Sequence, residues 1–417
     1  MRIFHRFGIL MILLVILLSI CVCMMPIIAR RQVDKKITEL KAEGMPISAS
    51  DIPVPHVTDA ENGAAIYMHA REELAKHDED FREIGMFNTD VPRKEQARPS
   101  DSQKRAVHEN EHIVRLIENA VSKPECVFPV SWQDEWLLHK YTWQLSARRS
   151  ELYGPQYLST LLHANALFSA RIGNMHDASR FIELQFRMSE SMKDQPNFAV
   201  QRVRYLVMED ASTAFQQVVR LGDLGDLEIS KLSNVLDRID LTGTYEHMIN
   251  CERAYGISAS KSTDRYLGDW TDELHLLDEC DYYARVGRLP CPEALNRRQV
   301  WPLYLSYYRG RMWPWTFSYA LQERDHALTM IRATRICLAL AKYRIRFGSY
   351  PNTLTDLRLK LRWEAPMDPF SGKDFIYRRE GRGVVITSAG TYLQYPTVSP
   401  QRRVRLDYRK THFTWTL

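Results

Sequence analysis

Motifs that would name a chemistry are missing from this chain. There is no G-x-S-x-G elbow, no glycine-rich phosphate loop and no dinucleotide fingerprint. No serine-hydrolase, phosphoryl-transfer or dinucleotide-dependent reaction is therefore signalled. Gly256-Ile257-Ser258-Ala259-Ser260 comes nearest and misses the elbow at its last residue. Such absences remove any named reaction without excluding an enzyme. Cysteine is sparse as well. Cys21 and Cys23 lie in an apolar run, which leaves Cys126, Cys251, Cys280, Cys291 and Cys337, an odd number without a C-x-x-C. That excludes a disulfide framework and a thiolate zinc cluster, and leaves room for at most one bridge, Cys280 to Cys291. No domain-wide basic stripe exists either: 56 basic residues face 51 acidic ones. A nucleic-acid partner is not called for.

What the chain does have is length for two or three packing units, with 45% apolar and 26% charged residues, an ordinary globular balance. It also has one run that belongs in lipid. Phe7 to Ala29 carries no charge and, at about 1.5 Å per residue, spans about 33 Å, enough for the hydrocarbon core. Ile27 stands where a signal-peptidase site needs a small residue, and Ile20 and Val22 precede the cysteines where a lipoprotein signal needs one. The run therefore reads as a retained single-pass anchor. Arg30, Arg31, Lys35, Lys36 and Lys41 after it outnumber Arg2 and Arg6 before it, which counted strictly keeps the large portion cytoplasmic. Long domains translocate despite flanking charge, and the reading leans to an extracytoplasmic body. Arg30, Arg31, Lys35 and Lys36 could hold anionic headgroups at about 1 kcal/mol each, but are read as part of a solvated stalk.

Four segments are expected: an anchor at 1–29, a juxtamembrane stalk and linker at 30–56, a helical body at 57–317, and a long helix with a small α+β unit at 318–417. The stalk, Arg31 to Glu43, stops at Gly44 before the proline-bearing linker MPISASDIPVP. Thr58 and Glu61 form a capping box for a helix to about Lys76, Met86 to Pro99 is a surface loop, and Ser100 to Gln103 opens a helix ending near Pro124. From Ser131 to Gly256 the apolar spacing is helical. Leu158, Leu161, Leu162, Phe168 and Ile172 make one stripe, and Phe181, Leu184, Met188 and Met192 the next. Between them, ARIGNMHDASRFIELQF looks like the turn and second helix of a tetratricopeptide hairpin, with Gly173 and Ala178 at close-packing positions. It does not recur at a steady period. Ala327, Met330, Ile331, Thr334, Leu338, Ala341 and Ile345 mark a long last helix ended by Gly348. Two short strands, FIYR and VVITS, follow, joined by Glu380-Gly381-Arg382-Gly383 as a β-hairpin.

Two stretches resemble known groups. GMPISASDIP, AENGAAIYMHA, the Cys126 segment, the helical hairpin and CERAYG together are similar to a group of membrane-anchored proteins of planctomycete-type bacteria, which brings no established activity with it. The C-terminal stretch ALAKYRIRFGSYPNTLTDL, APMDPFSGKDFIYR and TSAG resembles type II secretion major pseudopilins. The matching positions are Tyr343, Gly348, Tyr350, Pro351, Leu354, Leu357, Pro366, Asp368, Pro369, Gly372, Phe375, Tyr377, Ser388 and Gly390. The resemblance implies a helix end, a tight turn and a small sheet, a structural role. Asp368-Pro369-Phe370-Ser371-Gly372 departs from that family's turn, the calcium-loop acids are missing, and so are the prepilin leader and its early glutamate. Neither a calcium site nor processing as a pilin is implied.

Three constellations bear on function. His108-Glu109-Asn110-Glu111-His112 fits H-E-x-x-H, in which His108 and His112 would hold zinc and Glu109 would act as base. Glu111 inside the motif, the position of both histidines at the rim of the face marked by Ile113, Leu116, Ile117 and Ala120, and the lack of a third ligand favour a solvated rim. Trp301 to Tyr319 crowds aromatics around arginines, and Trp301, Tyr304, Tyr308, Arg309, Arg311, Trp313 and Trp315 are the place to look for a ligand, although helix packing accounts for such a stretch too. Arg402, Arg403, Arg405, Arg409 and Lys410 read as a solvated strand and tail. The expectation is a mainly α protein that needs no cofactor, with no nucleic acid and no small-molecule substrate indicated. It is a scaffold or binding module for a protein partner, on the bilayer through its anchor. The alternatives are a tethered zinc metallopeptidase and a secretion-related envelope component.

Overall fold

The computed structural model describes residues 2–53, 55, 57–76, 101–129, 153–262, 269–289, 313–381, 383–389 and 414–417. Twelve helices and three strands are present among them. In chain order they are α1 (Arg2–Ala42), α2 (Gly63–Ala75), α3 (Asp101–Glu109), α4 (Glu111–Val121), α5 (Gly154–Arg171), α6 (Met175–Ser191), α7 (Phe198–Val218), α8 (Asp226–Leu236), α9 (Leu241–Ser262), α10 (Asp269–Gly287), α11 (Trp313–Phe347), α12 (Thr355–Leu361), β1 (Ile376–Glu380), β2 (Gly383–Thr387) and β3 (Thr414–Thr416). The protein is mainly helical, with a small antiparallel sheet at its C-terminal end.

Helix α1 is the one candidate among the described residues for crossing a membrane, by its length and hydropathy. Met11 to Leu18, Ile20, Met24, Met25, Ile27 and Ile28 on it are exposed. Beyond this run the stalk departs from expectation. The helix continues without a break through Pro26 to Ala42. Ala29, Val33 and Leu40 are buried, and Lys36 and Ile37 are half-buried. Their alternating 3- and 4-residue spacing makes a seam like that of a coiled coil. Val33 and Leu40 pack with Ile257 of α9 and Leu277 of α10. The expected linker is packed too: a 3-10 turn at Ala49–Asp51 donates the Ala49 N–H to Ser258 Oγ at 2.7 Å, and Ile52 is buried with Cys251, Ala254 and Tyr255.

A single large core runs from α2 through α8, along α11 and into the sheet, and a second joins α9, α10 and the start of α11 around Tyr245, Tyr283 and Phe317. The long helix α11 begins inside the segment expected to close the helical body. It is pinned there by Arg324, which is buried, donates to the Gly287 carbonyl and to Asp325, and lies 4.9 Å from the Tyr245 ring centroid. Helices α5 and α6 form the anticipated hairpin. Ala178 is buried at its close approach, but a Cβ on Gly173 would touch nothing; its φ of +83° is what the turn requires. Asn174 caps α6 by accepting from the Asp177 N–H at 3.1 Å. Ile172 faces solvent rather than the stripe, as does Ile345 at the end of α11. The cap of α2 is Asn62, which accepts from the Ala64 N–H, while Thr58 and Glu61 bond each other just outside the helix.

At the C-terminal end β1 and β2 form the expected hairpin, with Ile376 opposite Thr387 and Glu380 opposite Gly383. A third strand lies beyond the terminal run read as a solvated strand and tail. β3 pairs antiparallel with β2, Trp415 opposite Ile386, and buries the Trp415 indole against Phe375. Arg402, Arg403, Arg405, Arg409 and Lys410 lie outside the described residues. Asp368 is the hub of the preceding turn. Its carboxylate accepts from the Phe370 N–H, the hydroxyls of Ser371 and Ser388 and the Ala389 N–H, at 2.8 to 3.2 Å. Gly372 turns the chain at φ +66°, and Tyr377 donates to the Pro351 carbonyl at 2.6 Å.

Candidate functional site

The H-E-x-x-H segment does not lie on one helix. Asn110 is buried, with φ −94° and ψ 8°, and its side chain donates back to the Ala106 carbonyl at 2.7 Å, so α3 ends before it and α4 starts after it. His108 and His112 thus flank a break instead of sharing a helical face. His108 is almost fully exposed, 4.0 Å from Glu111, and His112 Nδ1 faces the Glu109 carbonyl at 3.0 Å. Among the described residues no group of three His, Cys, Asp or Glu side chains is placed to hold a metal ion. Of the aromatic and basic segment, Trp301, Tyr304, Tyr308, Arg309 and Arg311 lie outside the described residues, while Trp313 and Trp315 occupy the first turn of α11. Cys280 is a free thiol in the α9–α10 core, and Cys291 lies outside the described residues. Burial pushes the thiols of Cys126 and Cys251 up to about 12 and those of Cys280 and Cys337 higher than usual. These four are therefore inert packing groups rather than thiolate ligands or nucleophiles.

Two polar clusters were invisible in the sequence because their members are far apart in it. One ties α5, α6 and α7 together. Asp210 accepts from Ser159 Oγ at 2.6 Å and from Gln185 Nε2 at 3.2 Å, and its other oxygen faces His163 Nδ1 at 2.5 Å. Ser159 and His163 both address the carboxylate, so the imidazole is not on the serine hydroxyl, and the pair lacks the geometry of a nucleophile with its base. Gln217 Oε1 faces the second imidazole nitrogen at 3.1 Å. The cluster acts as a buried clamp across three helices.

The second cluster lies where α1 meets α9 and α10. Lys36 reaches Asp281 at 2.6 Å and Asp278 at 3.0 Å. Arg253, buried on α9, meets the other oxygen of Asp281 at 3.1 Å and Asn250 at 3.1 Å. Burial pulls the Lys36 ammonium down, but the two carboxylates outweigh it and hold it above its ordinary value. Two buried acids flank this chain of charges. Burial raises Glu252 to about 7 against the opposing hydrogen bond from the Phe198 N–H, and it raises Glu279 to about 8 with help from Asp278. A docked apolar seam and a half-buried ion network together hold the apolar helix against the body.

In comparisons with known proteins, no family model, no curated protein and no solved structure matches the chain. The structure defines the class by itself: a mainly helical protein with one N-terminal helix apolar enough to cross a membrane and a small C-terminal antiparallel sheet.

Proposed function

We propose that this chain is a non-catalytic scaffold or binding module for a protein partner, held in a bilayer by the single pass Phe7 to Ala29, with its body on the extracytoplasmic side. The observation that carries the reading is the continuity of α1. One helix runs from an exposed apolar stretch directly into a buried seam at Ala29, Val33 and Leu40, so the body is braced against the anchor instead of trailing on a tether. A module that must offer fixed helix surfaces at a set height and angle gains a great deal.

The test uses the full-length chain. Washed membranes should retain it, and a reporter fused after Leu417 should be active only on the extracytoplasmic side. Purification in mild detergent should recover a stoichiometric protein partner. Recovery from the aqueous fraction removes the anchor. Turnover of a substrate by preparations that hold no partner removes the scaffold reading.

A further inference from the structure

Between α8 and α11, closed at one end by the residues after α12, lies a groove enclosing about 330 Å³. Its charge is one-sided. Arg335, Lys342 and Arg346 of α11 line it together with Arg362, against a single acid, Asp237 of α8. That acid is already engaged, 2.5 Å from Arg335, so Lys342, Arg346 and Arg362 face the groove with no acidic partner among the described residues. The Arg335 Nε is buried there without an acceptor. The floor is apolar: Leu361 and Trp363, both half-buried, offer a surface on which a side chain can rest, with the buried Leu338 beneath.

The cations left without an acid and the apolar floor together select the ligand. Lys342 and Arg346 stand one turn apart on α11, about 6 Å at roughly 1.5 Å per helical residue, and Arg362 lines the same groove. A bare phosphate meets these charges but leaves Leu361 and Trp363 uncovered. An acidic peptide carrying an apolar side chain answers both. We infer that this groove takes an acidic peptide segment of the partner protein. Its carboxylates meet Lys342, Arg346 and Arg362, and an interspersed apolar side chain rests on Trp363 and Leu361. The inference depends on the binding-module reading and names the chemistry of what is bound.

The experiment titrates full-length protein in detergent against a fluorescein-labelled hexapeptide of alternating glutamate and phenylalanine, followed by anisotropy. Saturable binding that weakens with added salt is expected. K342E with R346E, both on exposed side chains, should weaken it by about tenfold or more. W363A should weaken it about fivefold through lost apolar contact. R105E, an exposed change on α3, should leave it unaltered. Equal affinity for the glutamine–phenylalanine peptide, indifference to K342E with R346E, or displacement by inorganic pyrophosphate at the concentrations at which it displaces from R105E and from the double variant alike, each overturns the assignment. If the hexapeptide fails while the wild-type chain still captures its partner, the groove is not the contact surface and the scaffold reading stands. If capture fails as well, both fall.

Discussion

Arg362 is the one non-glycine residue among those described with a positive φ, at 53°, where it ends α12. An L side chain held in that region costs roughly 1–2 kcal/mol, and glycine is the usual occupant of such a helix terminus. Arg362→Gly should therefore raise stability by up to about 1 kcal/mol, read as a higher Tm, while weakening binding of the acidic hexapeptide. A rise in Tm with affinity intact would separate Arg362 from the groove. Gly63 has the opposite constraint. A Cβ there would stand 2.7 Å from the Ala120 carbonyl oxygen, a backbone atom that cannot swing aside. Gly63→Ala should cost about 1–3 kcal/mol by overpacking, visible as a lower midpoint in chemical denaturation. Neither effect was legible in the sequence. Gly63 sits in a helical run with nothing local to mark a neighbouring carbonyl, and Arg362 carries no turn signature. Gly173 was legible as a helix stop, but the reason for it is its backbone angle and not a tight contact.

Among the elements, α1 carries the sharpest prediction. Lys36→Glu places a carboxylate beside Asp278 and Asp281 in a half-buried pocket, so the docked segment should loosen from α9 and α10. Limited proteolysis should then cut between Gly44 and Pro55 several times faster than in the parent, with retention in washed membranes unchanged. Unaltered cleavage would mean that the apolar seam alone holds the helix. The seam was there to be read, since Val33, Ile37 and Leu40 keep helical spacing, but the surrounding lysines and glutamates made the stretch look like a solvated stalk. The stripe of α6 was legible because the opposite side of that helix stays exposed at His176, Arg180 and Arg187, whereas α5 is buried all round from Leu161 to Leu167. The break at Asn110 was not, because a buried asparagine bonding back to Ala106 looks from sequence like any polar residue in a helix. β3 escaped for a different reason: the three residues Thr414 to Thr416 are too short for a pattern, and only their pairing with β2 makes them a strand.

For the whole molecule, the two raised carboxyls set a pH dependence. Glu252 and Glu279 have folded values of about 7 and about 8 against an ordinary 4.5. Between those limits the folded chain keeps protons that the unfolded chain has released, so their contribution to stability falls as pH rises from about 4.5 to about 8 and is flat beyond. Urea denaturation across that range should show the decline, and Glu279→Gln should make it shallower, leaving the share of Glu252 that ends near pH 7. A Glu279→Gln profile parallel to the parent's would place the cause elsewhere. Neither acid was a candidate beforehand. A glutamate's burial is a property of the packed helices around it, and in the sequence both sit among ordinary charged residues. The continuity of α1 has one more consequence on the membrane placement proposed above. A helix that meets a thicker or thinner bilayer changes its tilt to keep its apolar length covered. With no hinge between the apolar run and the seam, such a lean becomes a swing of the entire folded mass, and lipid composition would then steer which of its sides faces a neighbour.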